Sequence, residues 1–383
     1  DKKPGAPNII GRASPLIGFD FGTSYTSAAV YDNGFTLIEG EDGEIQMPSV
    51  VSFPSADWTM IGSKARERMS SEAQWTITSP KRLLGRPYKD PKVALQLGGL
   101  AFKTFAGSDK FARFEAHGEI YSVGDICSMI LKEMKERAER MLGTKIKRAV
   151  FAVPVSHGSI QRSALELAAR QSGIEVVGLL TEPSASVLAH GIRGRKGTVA
   201  VYDFGGGTFD FCVLKVRETA FQVLCAGGEP WLGGDDFDTV LANHISELFQ
   251  KQTGIDLRTR AVELQALLFA CEGAKRELSS NSNADLRLGD LVFTSEGKKG
   301  LRYRLSRRQF NKLTAHLIKK SLLISEKVLA QAGLKASDVD TVVMSGGTSL
   351  IPMVRERVAE FFNLKPLVGE PDLAVVKGTA LRA

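Results

Sequence analysis

One pattern occurs twice in this sequence, over residues 16–31 and again over residues 198–214, and it constrains the fold more than any other feature. Each copy has an apolar run, then Asp-Phe-Gly, then a turn of small residues that includes a hydroxyl, and then a second apolar run. This order is typical of a β-hairpin with a polar, glycine-rich turn. Because a repeated unit implies a repeated architecture, the sequence predicts two similar halves.

Strands and helices alternate after each copy. In the first half, we predict a buried strand over residues 148–153, a helix over residues 160–172 closed by Gly173, and a strand over residues 175–180. In the second half, we predict a long helix capped by Ser306 and ending before Gly333, a strand over residues 340–344, a turn at Gly346 and Gly347, and a helix over residues 351–362. Alternation of this kind is typical of βαβ units, so the predicted class is α/β.

Two dissimilar segments, residues 50–121 and residues 234–305, interrupt the two halves. We therefore predict a first lobe over residues 16–195 and a second lobe over residues 196–383, each carrying one of these segments as an inserted subdomain, around one cleft. Residues 1–15 have no Met and no apolar signal sequence but are rich in Pro, Gly and Asn, which predicts a flexible leader.

The composition restricts the class of protein. Of the 383 residues, 43% are hydrophobic and 24% are charged, which excludes a disordered chain, a collagen-like repeat and a small disulfide scaffold. No uncharged apolar run reaches the roughly 18 to 20 residues of a membrane-spanning helix, so we expect a soluble protein without a membrane partner. The four cysteines stand far apart and form no metal or disulfide pattern, which predicts a reducing compartment and a cytoplasmic location.

The net charge of +7 permits anionic partners without identifying one. Basic residues occur in short runs, such as Lys298-Lys299 and Arg307-Arg308, that have no interleaved aromatic residues. Such runs are more often solvated faces than a nucleic-acid groove, so we expect no nucleic-acid partner.

The glycines cluster in three turns, Gly22-Thr23-Ser24, Gly205-Gly206-Gly207-Thr208 and Gly346-Gly347-Thr348-Ser349. The sequence has no P-loop motif and no GxGxxG motif after a strand, which argues against both of those phosphate sites. Glycine lets the backbone approach an anion closely, and successive N–H groups with hydroxyl donors can hold phosphate oxygens. One such turn is weak evidence because hairpins need glycine, but three turns, two of them copies, favour a phosphate site.

Asp20 and Asp203 occupy the same place in the two copies, at the end of an apolar strand. A carboxylate there can be buried only with a partner, and two carboxylates facing each other across a cleft would suit a hydrated Mg²⁺. The alternative is a pair of turn caps in which each carboxylate bonds to its own backbone. The duplication favours the metal interpretation.

Short motifs then follow one another in a specific order: Gly18-Phe-Asp-Phe-Gly-Thr23, Lys81-Arg-Leu-Leu-Gly85, Glu182-Pro-Ser-Ala185, Asp203-Phe-Gly-Gly-Gly-Thr-Phe-Asp210, Leu232-Gly-Gly-Asp-Asp-Phe-Asp238, Ala270-Cys-Glu-Gly-Ala-Lys-Arg276 and Gly346-Gly347. In these motifs the chain from Leu16 onward resembles the ATPase domain of the 70-kDa heat-shock (DnaK-type) chaperones, within the actin-like ATPase superfamily. The resemblance implies a duplicated actin-like (ribonuclease H-like) fold whose two lobes surround a nucleotide cleft. It also implies ATP binding and slow Mg²⁺-dependent hydrolysis, driving a conformational switch for protein folding or client binding.

The resemblance further implies roles for individual residues. Asp20 and Asp203 would organise the Mg²⁺ shell, Lys81 would reach the γ-phosphoryl group, and Glu182, Thr208 and Asp210 would order the attacking water and a monovalent cation such as K⁺. ATP or ADP would contact the remaining residues of the set: Gly22, Thr23, Ser24, Tyr25, Gly205, Gly206, Gly207, Glu272, Lys275, Arg276, Ser279, Gly346, Gly347, Ser349 and Asp372. Without the resemblance, Lys81 reads as surface charge and the residues from Glu272 to Ser279 as a solvated helix face.

The partners implied by the resemblance are a C-terminal peptide-binding domain, absent from this chain, and a nucleotide-exchange factor. Pro154 and Arg162 match the switch that would relay nucleotide state to that domain. Because the helical pattern that begins at Ala374 has no closing signal, we expect the natural chain to continue. The alternative function is that of a non-chaperone actin-like protein, meaning a filament former, a small-molecule kinase or a nucleotide sensor.

Some positions depart from the family pattern. Leu350 stands where an arginine usually stacks on adenine, which predicts weaker nucleotide binding and blunted discrimination between adenine and guanine; the alternative is that Leu350 only continues the apolar core. Gly178 replaces a basic residue and Thr181 an asparagine on the face that receives a J-domain co-chaperone, and residues 156–160 differ nearby. We therefore expect a J-domain partner to be absent or divergent.

Overall fold

The computed structural model describes residues 14–98, 100–192, 196–217, 220–295 and 297–383. The predicted leader lies outside these residues except for its last two positions.

The strands, numbered in chain order, are β1 (Leu16–Phe21), β2 (Tyr25–Tyr31), β3 (Phe35–Leu37), β4 (Met47–Pro48), β5 (Val50–Ser55), β6 (Trp58–Ile61), β7 (Thr76–Thr78), β8 (Lys103–Ala106), β9 (Ala112–Ala116), β10 (Glu119–Ser122), β11 (Arg148–Val153), β12 (Glu175–Thr181), β13 (Gly197–Phe204), β14 (Phe209–Arg217), β15 (Ala220–Glu229), β16 (Asn283–Thr294), β17 (Gly297–Ser306) and β18 (Thr341–Ser345). The α-helices are α1 (Ser63–Glu67), α2 (Pro91–Gly98), α3 (Val123–Leu142), α4 (Ser159–Gln171), α5 (Glu182–Ala189), α6 (Gly234–Thr253), α7 (Ala261–Ser280), α8 (Arg307–Gln331), α9 (Pro352–Phe362) and α10 (Ala374–Arg382). Short 3₁₀ turns at Pro80–Leu83 and Gly347–Leu350 matter for the site.

Both copies of the repeated pattern form the predicted β-hairpins. In the first sheet, of order β12-β11-β1-β2-β3, the hairpin is β1-β2, and β11 and β12 continue the sheet in parallel with β1. In the second sheet, of order β15-β14-β13-β18, the hairpin is β13-β14, and β18 pairs in parallel with β13. The same plan of an antiparallel meander with parallel strands at its side confirms the duplication and the α/β class.

Most predicted elements are present within one or two residues of the expected bounds. The helix predicted over residues 351–362 begins at Pro352, whose fixed φ suits the first position of a helix. Ser306 caps α8 as predicted, since its side chain accepts a hydrogen bond from the backbone N–H of Gln309. The second insert holds the 20-residue helices α6 and α7 and the long ribbon β16-β17.

Two helices lie between the two sheets. α5 buries Val187 against Val201 and Leu214 of the second sheet, whereas Ala185 packs on Ala152 of the first. α10 packs on β1, β2 and α5, although the predicted boundary between residues 195 and 196 assigns it to the second lobe. The two lobe ranges remain a prediction. α10 completes the core beside the first sheet.

The contact of α10 with α5 and β1 depends on glycine. A Cβ atom on Gly378 would lie 1.8 Å from the backbone oxygen of Ala185, and one on Gly18 would lie 2.4 Å from the backbone nitrogen of Ala380. Neither neighbour is a flexible side chain, so the backbones themselves would have to separate.

We expect Gly378→Ala to destabilise the fold by about 1 to 3 kcal/mol, because the added methyl group overpacks the α5-α10 contact. The matched control is Gly273→Ala in α7, where a Cβ atom meets nothing within 4 Å. That change should be neutral or stabilising by up to about 1 kcal/mol, through helix propensity alone. Urea unfolding of both variants measures the difference, and equal stabilities would contradict the packing argument.

Candidate functional site

A cavity of about 490 Å³ opens between the two sheets and is lined by residues from both halves. Most residues of the predicted set lie on its wall: Asp20, Gly22, Thr23, Ser24, Tyr25, Lys81, Glu182, Asp203, Gly205, Gly206, Thr208, Glu272, Lys275, Arg276, Ser279, Gly346, Gly347 and Asp372. Residues that are far apart in the sequence are thus brought together, and their individual roles remain predictions.

Three residues of the set stand behind the wall. Asp210 is buried and faces Asp203 in the β13-β14 register. The backbone oxygen of Gly207 accepts a hydrogen bond of 2.7 Å from the Arg82 guanidinium. Ser349 is fully buried, and its hydroxyl donates to the backbone oxygen of Ser345 at 2.6 Å.

The three glycine turns converge because they pack directly on one another. A Cβ atom on Gly206 would lie 2.0 Å from the Ser24 hydroxyl oxygen, so the turns of the two hairpins touch only because this residue is glycine. Gly346, at a φ of 79°, lies equally close to the second hairpin, with a built Cβ atom 2.4 Å from the oxygen of Phe204. Thr348 joins the second and third turns through a 2.8 Å hydrogen bond to the oxygen of Gly205.

Lys81 and Glu182 form a buried ion pair at the cavity, with 3.0 Å between Nζ and Oε1. The 3₁₀ turn Pro80–Leu83 presents Lys81, and Glu182 is the first residue of α5, where the helix dipole favours a carboxylate. Burial opposes the charge on Lys81, yet Glu182 and then Asp20 raise the pKa of its ammonium group above the usual value.

Three aspartates share this region with Glu182. Desolvation first, and the charge of Glu182 second, raise the pKa of Asp20 and of Asp210 to about 7, while Lys81 opposes the shift. The same two causes raise the pKa of Asp203 well above its usual value. Asp210 also accepts hydrogen bonds from the hydroxyls of Thr208 and Ser156.

Four carboxyl groups around one lysine leave an excess of negative charge, which fits a divalent cation. Within the described ranges no group of three or more His, Cys, Asp or Glu side chains is arranged as a complete metal site. Mg²⁺ needs only one or two carboxylates, since water and phosphate oxygens supply the rest of its shell. Asp20 and Asp203, at the ends of β1 and β13, are the residues that would hold it.

Along the other wall, α7 contributes Glu272, Lys275 and Arg276. The Tyr25 hydroxyl donates to Glu272 at 3.2 Å and accepts hydrogen bonds from both Arg66 and Arg276. Arg66 also pairs with Glu272, so this cluster joins the first hairpin and the first insert to the second insert. Lys275 is buried and held by the oxygen of Gly234 at 2.8 Å and by Asp238 at 2.6 Å.

Three wall residues stand in motifs or turns that the sequence analysis named but were given no individual role: Gly234, Asp235 and Thr348. Sequence reasoning missed the other wall residues, which are Gln46, Ser280, Ile351, Arg355, Pro371 and Val375. Thr348 was detectable because it stands inside the third glycine turn. Arg355 carried no signal, since it reads as one more charge on an amphipathic helix. Leu350 is on the wall and 37% exposed, so it does not merely continue the apolar core.

The loop between β11 and α4, which departs from the family pattern, reaches the charged groups of the site. Ser156 contacts Asp210, as described above, and Arg162 donates to the backbone oxygen of His157 at 2.9 Å. Burial, and then the charges of Lys81, Arg86 and Arg162, lower the pKa of His157 to about 3. His157 is therefore neutral at physiological pH.

Two duplicated sheets, with paired carboxylates and glycine turns at the cavity between them, define the actin-like ATPase fold. A comparison with protein-family models finds that residues 16–383 match the Hsp70 protein family. The chain therefore belongs to the Hsp70 family and corresponds to its nucleotide-binding domain, and Hsp70 proteins are in general chaperone ATPases. In the part of the chain that the structure describes, no helix has the length and apolar character to cross a membrane.

His157 makes stability depend on pH. The unfolded chain protonates this histidine below a pH of about 6.5, whereas the folded chain resists protonation down to about pH 3. The unfolded state then binds more protons, so the free energy of unfolding falls as pH drops below 6.5. In wild type, this effect lowers the free energy of unfolding by up to about 1 kcal/mol per pH unit below pH 6.5, and we expect His157→Phe to abolish that decrease.

Urea unfolding at pH 7.5 and pH 5.5 gives the change in the free energy of unfolding with pH for wild type and for the variant. Because both proteins contain the same aspartates, the contribution of the aspartates cancels in the difference between them. His316→Gln, which changes an exposed histidine on α8, is the matched control. Identical pH dependence of all three proteins would show that His157 takes up a proton as readily in the folded chain as in the unfolded chain.

Proposed function

We propose that this domain binds Mg·ATP in the cavity and hydrolyses it slowly to ADP and phosphate. The observation that carries the proposal is the convergence in one cavity of three glycine turns, the Lys81-Glu182 pair, Asp20 and Asp203. Asp210 is buried directly behind the wall of this cavity. Phosphoryl transfer to water needs positioning and charge neutralisation more than covalent chemistry, and these residues supply both.

Each group has a place in this proposal. The backbone N–H groups of the turns at Gly22–Ser24 and Gly205–Gly207 hold phosphate oxygens, and the Lys81 ammonium neutralises charge that develops on the transferred phosphoryl group. Bound Mg²⁺ would supply further charge neutralisation on the phosphates. The buried ion pair with Glu182 fixes Lys81 in position before substrate arrives.

The water-activating side of the proposal consists of Glu182, Thr208 and Asp210. A carboxylate whose pKa lies near the working pH is an effective proton acceptor, and the pKa of Asp210 is about 7. Thr208 orients Asp210 by donating a hydrogen bond to it. The same oxygens suit a monovalent cation such as K⁺ beside the phosphates.

Nucleotide state would be relayed through the loop between β11 and α4. Ser156 contacts Asp210, and Arg162 holds the backbone of His157, so a change at Asp210 reaches Pro154 through a short covalent path. We propose that a peptide-binding domain and a nucleotide-exchange factor read this change. Membership of the Hsp70 family favours this chaperone function over a filament former or a small-molecule kinase.

Lys81→Ala should abolish turnover while largely preserving ATP binding, because the lost contact acts mainly on charge in the transition state. A loss of about 10²-fold or more in single-turnover rate is expected. Lys103→Ala, which removes an exposed surface lysine, is the control and should leave the rate unchanged. If Lys81→Ala and wild type hydrolyse ATP at the same single-turnover rate, Lys81 has been assigned wrongly.

We expect a generic J-domain to give little or no stimulation of the wild-type ATPase, because Gly178 on edge strand β12 carries no charge. A Cβ atom at Gly178 would meet the side chain of Val150 at an ordinary 3.7 Å, so Gly178→Arg fits the strand. The variant should gain J-domain binding that weakens with salt. Strong, salt-sensitive stimulation of the wild type would contradict the expectation.

A further inference from the structure

Two arginines line the cavity, and their guanidinium groups are in different situations. Arg276 lies over the Tyr25 ring, at 5.3 Å from its centroid, and donates to the Tyr25 hydroxyl. Arg355 makes one hydrogen bond, of 3.2 Å, to the backbone oxygen of Leu350. No carboxylate in the described ranges forms an ion pair with Arg355, so most of its donors face the cavity or solvent.

The backbone brings Arg355 beside Leu350. The chain leaves the third glycine turn through the 3₁₀ turn Gly347–Leu350 and enters α9 at Pro352, and Arg355 lies in the first full turn of that helix. Exposure rises sharply along this path, from 0% at Ser349 to 37% at Leu350. Leu350 and Arg355 therefore form a part of the wall toward the mouth of the cavity, beyond the glycine turns.

A nucleotide whose phosphates lie at the glycine turns must place its base away from Lys81 and the aspartates. The wall at Leu350 and Arg355 offers what a purine needs, since leucine gives flat apolar contact and a guanidinium stacks on aromatic rings and donates to their edges. A guanidinium also matches the paired O6 and N7 acceptors of guanine.

We infer that Arg355, on the wall beside Leu350, contacts the purine base of the bound nucleotide. This inference rests on the proposed function, because it assumes that the phosphates occupy the glycine turns. Arg355, in the first turn of α9, thereby supplies the positive charge that the Leu350 side chain lacks. Its guanidinium group has little preference for adenine over guanine.

Isothermal titration calorimetry on Arg355→Ala tests the inference with three probes: ATP, GTP and inorganic tripolyphosphate, each with Mg²⁺. We expect affinity for ATP and GTP to fall about 2- to 25-fold, and affinity for tripolyphosphate, which has no base, to stay unchanged. The matched control is Arg357→Ala on the same helix, which removes an exposed arginine paired with Glu360 and absent from the cavity wall. Thermal unfolding confirms that both variants fold.

A double-mutant cycle with Leu350→Arg adds a second, independent readout. If Arg355 already supplies the guanidinium, Leu350→Arg should raise ATP affinity more in the Arg355→Ala background than in the wild type. Additive effects would overturn the shared role of the two positions.

Other outcomes are equally clear. Equal ATP affinity for Arg355→Ala and Arg357→Ala would overturn the base contact, and an equal loss for tripolyphosphate would show that Arg355 acts on phosphate charge. If the wild type binds neither ATP nor tripolyphosphate, the proposed function itself is rejected. If the wild type binds tripolyphosphate as tightly as ATP and GTP, the base adds no affinity and only the inference is rejected.

Discussion

The charge balance around Lys81 governs the site. The buried Lys81 ammonium group pairs with Glu182 and lies near Asp20 and Asp210. Desolvation raises the pKa of Asp20, Asp203 and Asp210, so these three carboxyl groups are hard to ionise. Such a set is stable only when cations or protons compensate it, since buried unpaired charges are costly. Under the proposed function, the metal ion of bound Mg·ATP would supply that compensation, and the glycine turns would hold its phosphates.

The two halves meet at the cavity in two places that carry different chemistry. Near the glycine turns, Arg82 of the first half donates to Gly207 and pairs with Asp235 at 3.4 Å. Along α7, Tyr25 and Arg66 of the first half contact Glu272 and Arg276 of the second. Both contacts are polar and involve long side chains, so they can separate and re-form more easily than a packed apolar core.

The features that depend on local sequence pattern could be predicted. The contacts between residues that are far apart in the sequence could not. The hairpins, the Ser306 cap and the three glycine turns follow from periodicity and turn chemistry within a few residues. Most of the predicted site residues do line one cavity. Arg355 and Gln46 were missed because neither belongs to a motif or to a turn. The pairing of Lys275 with Asp238 was equally undetectable, because their two motifs are far apart in the sequence and meet only when α6 and α7 pack together.

The position of α10 has a consequence for how the protein is made. Its residues, near the far end of this sequence, cover β1 and β2, which leave the ribosome long before α10 does. The first sheet must therefore wait, with Ala29 and its apolar neighbours uncovered, until more than three hundred further residues have been synthesised. Contacts of such long sequence separation slow folding and leave apolar surface open to aggregation. A nascent chain of this protein therefore exposes this apolar surface until α10 emerges.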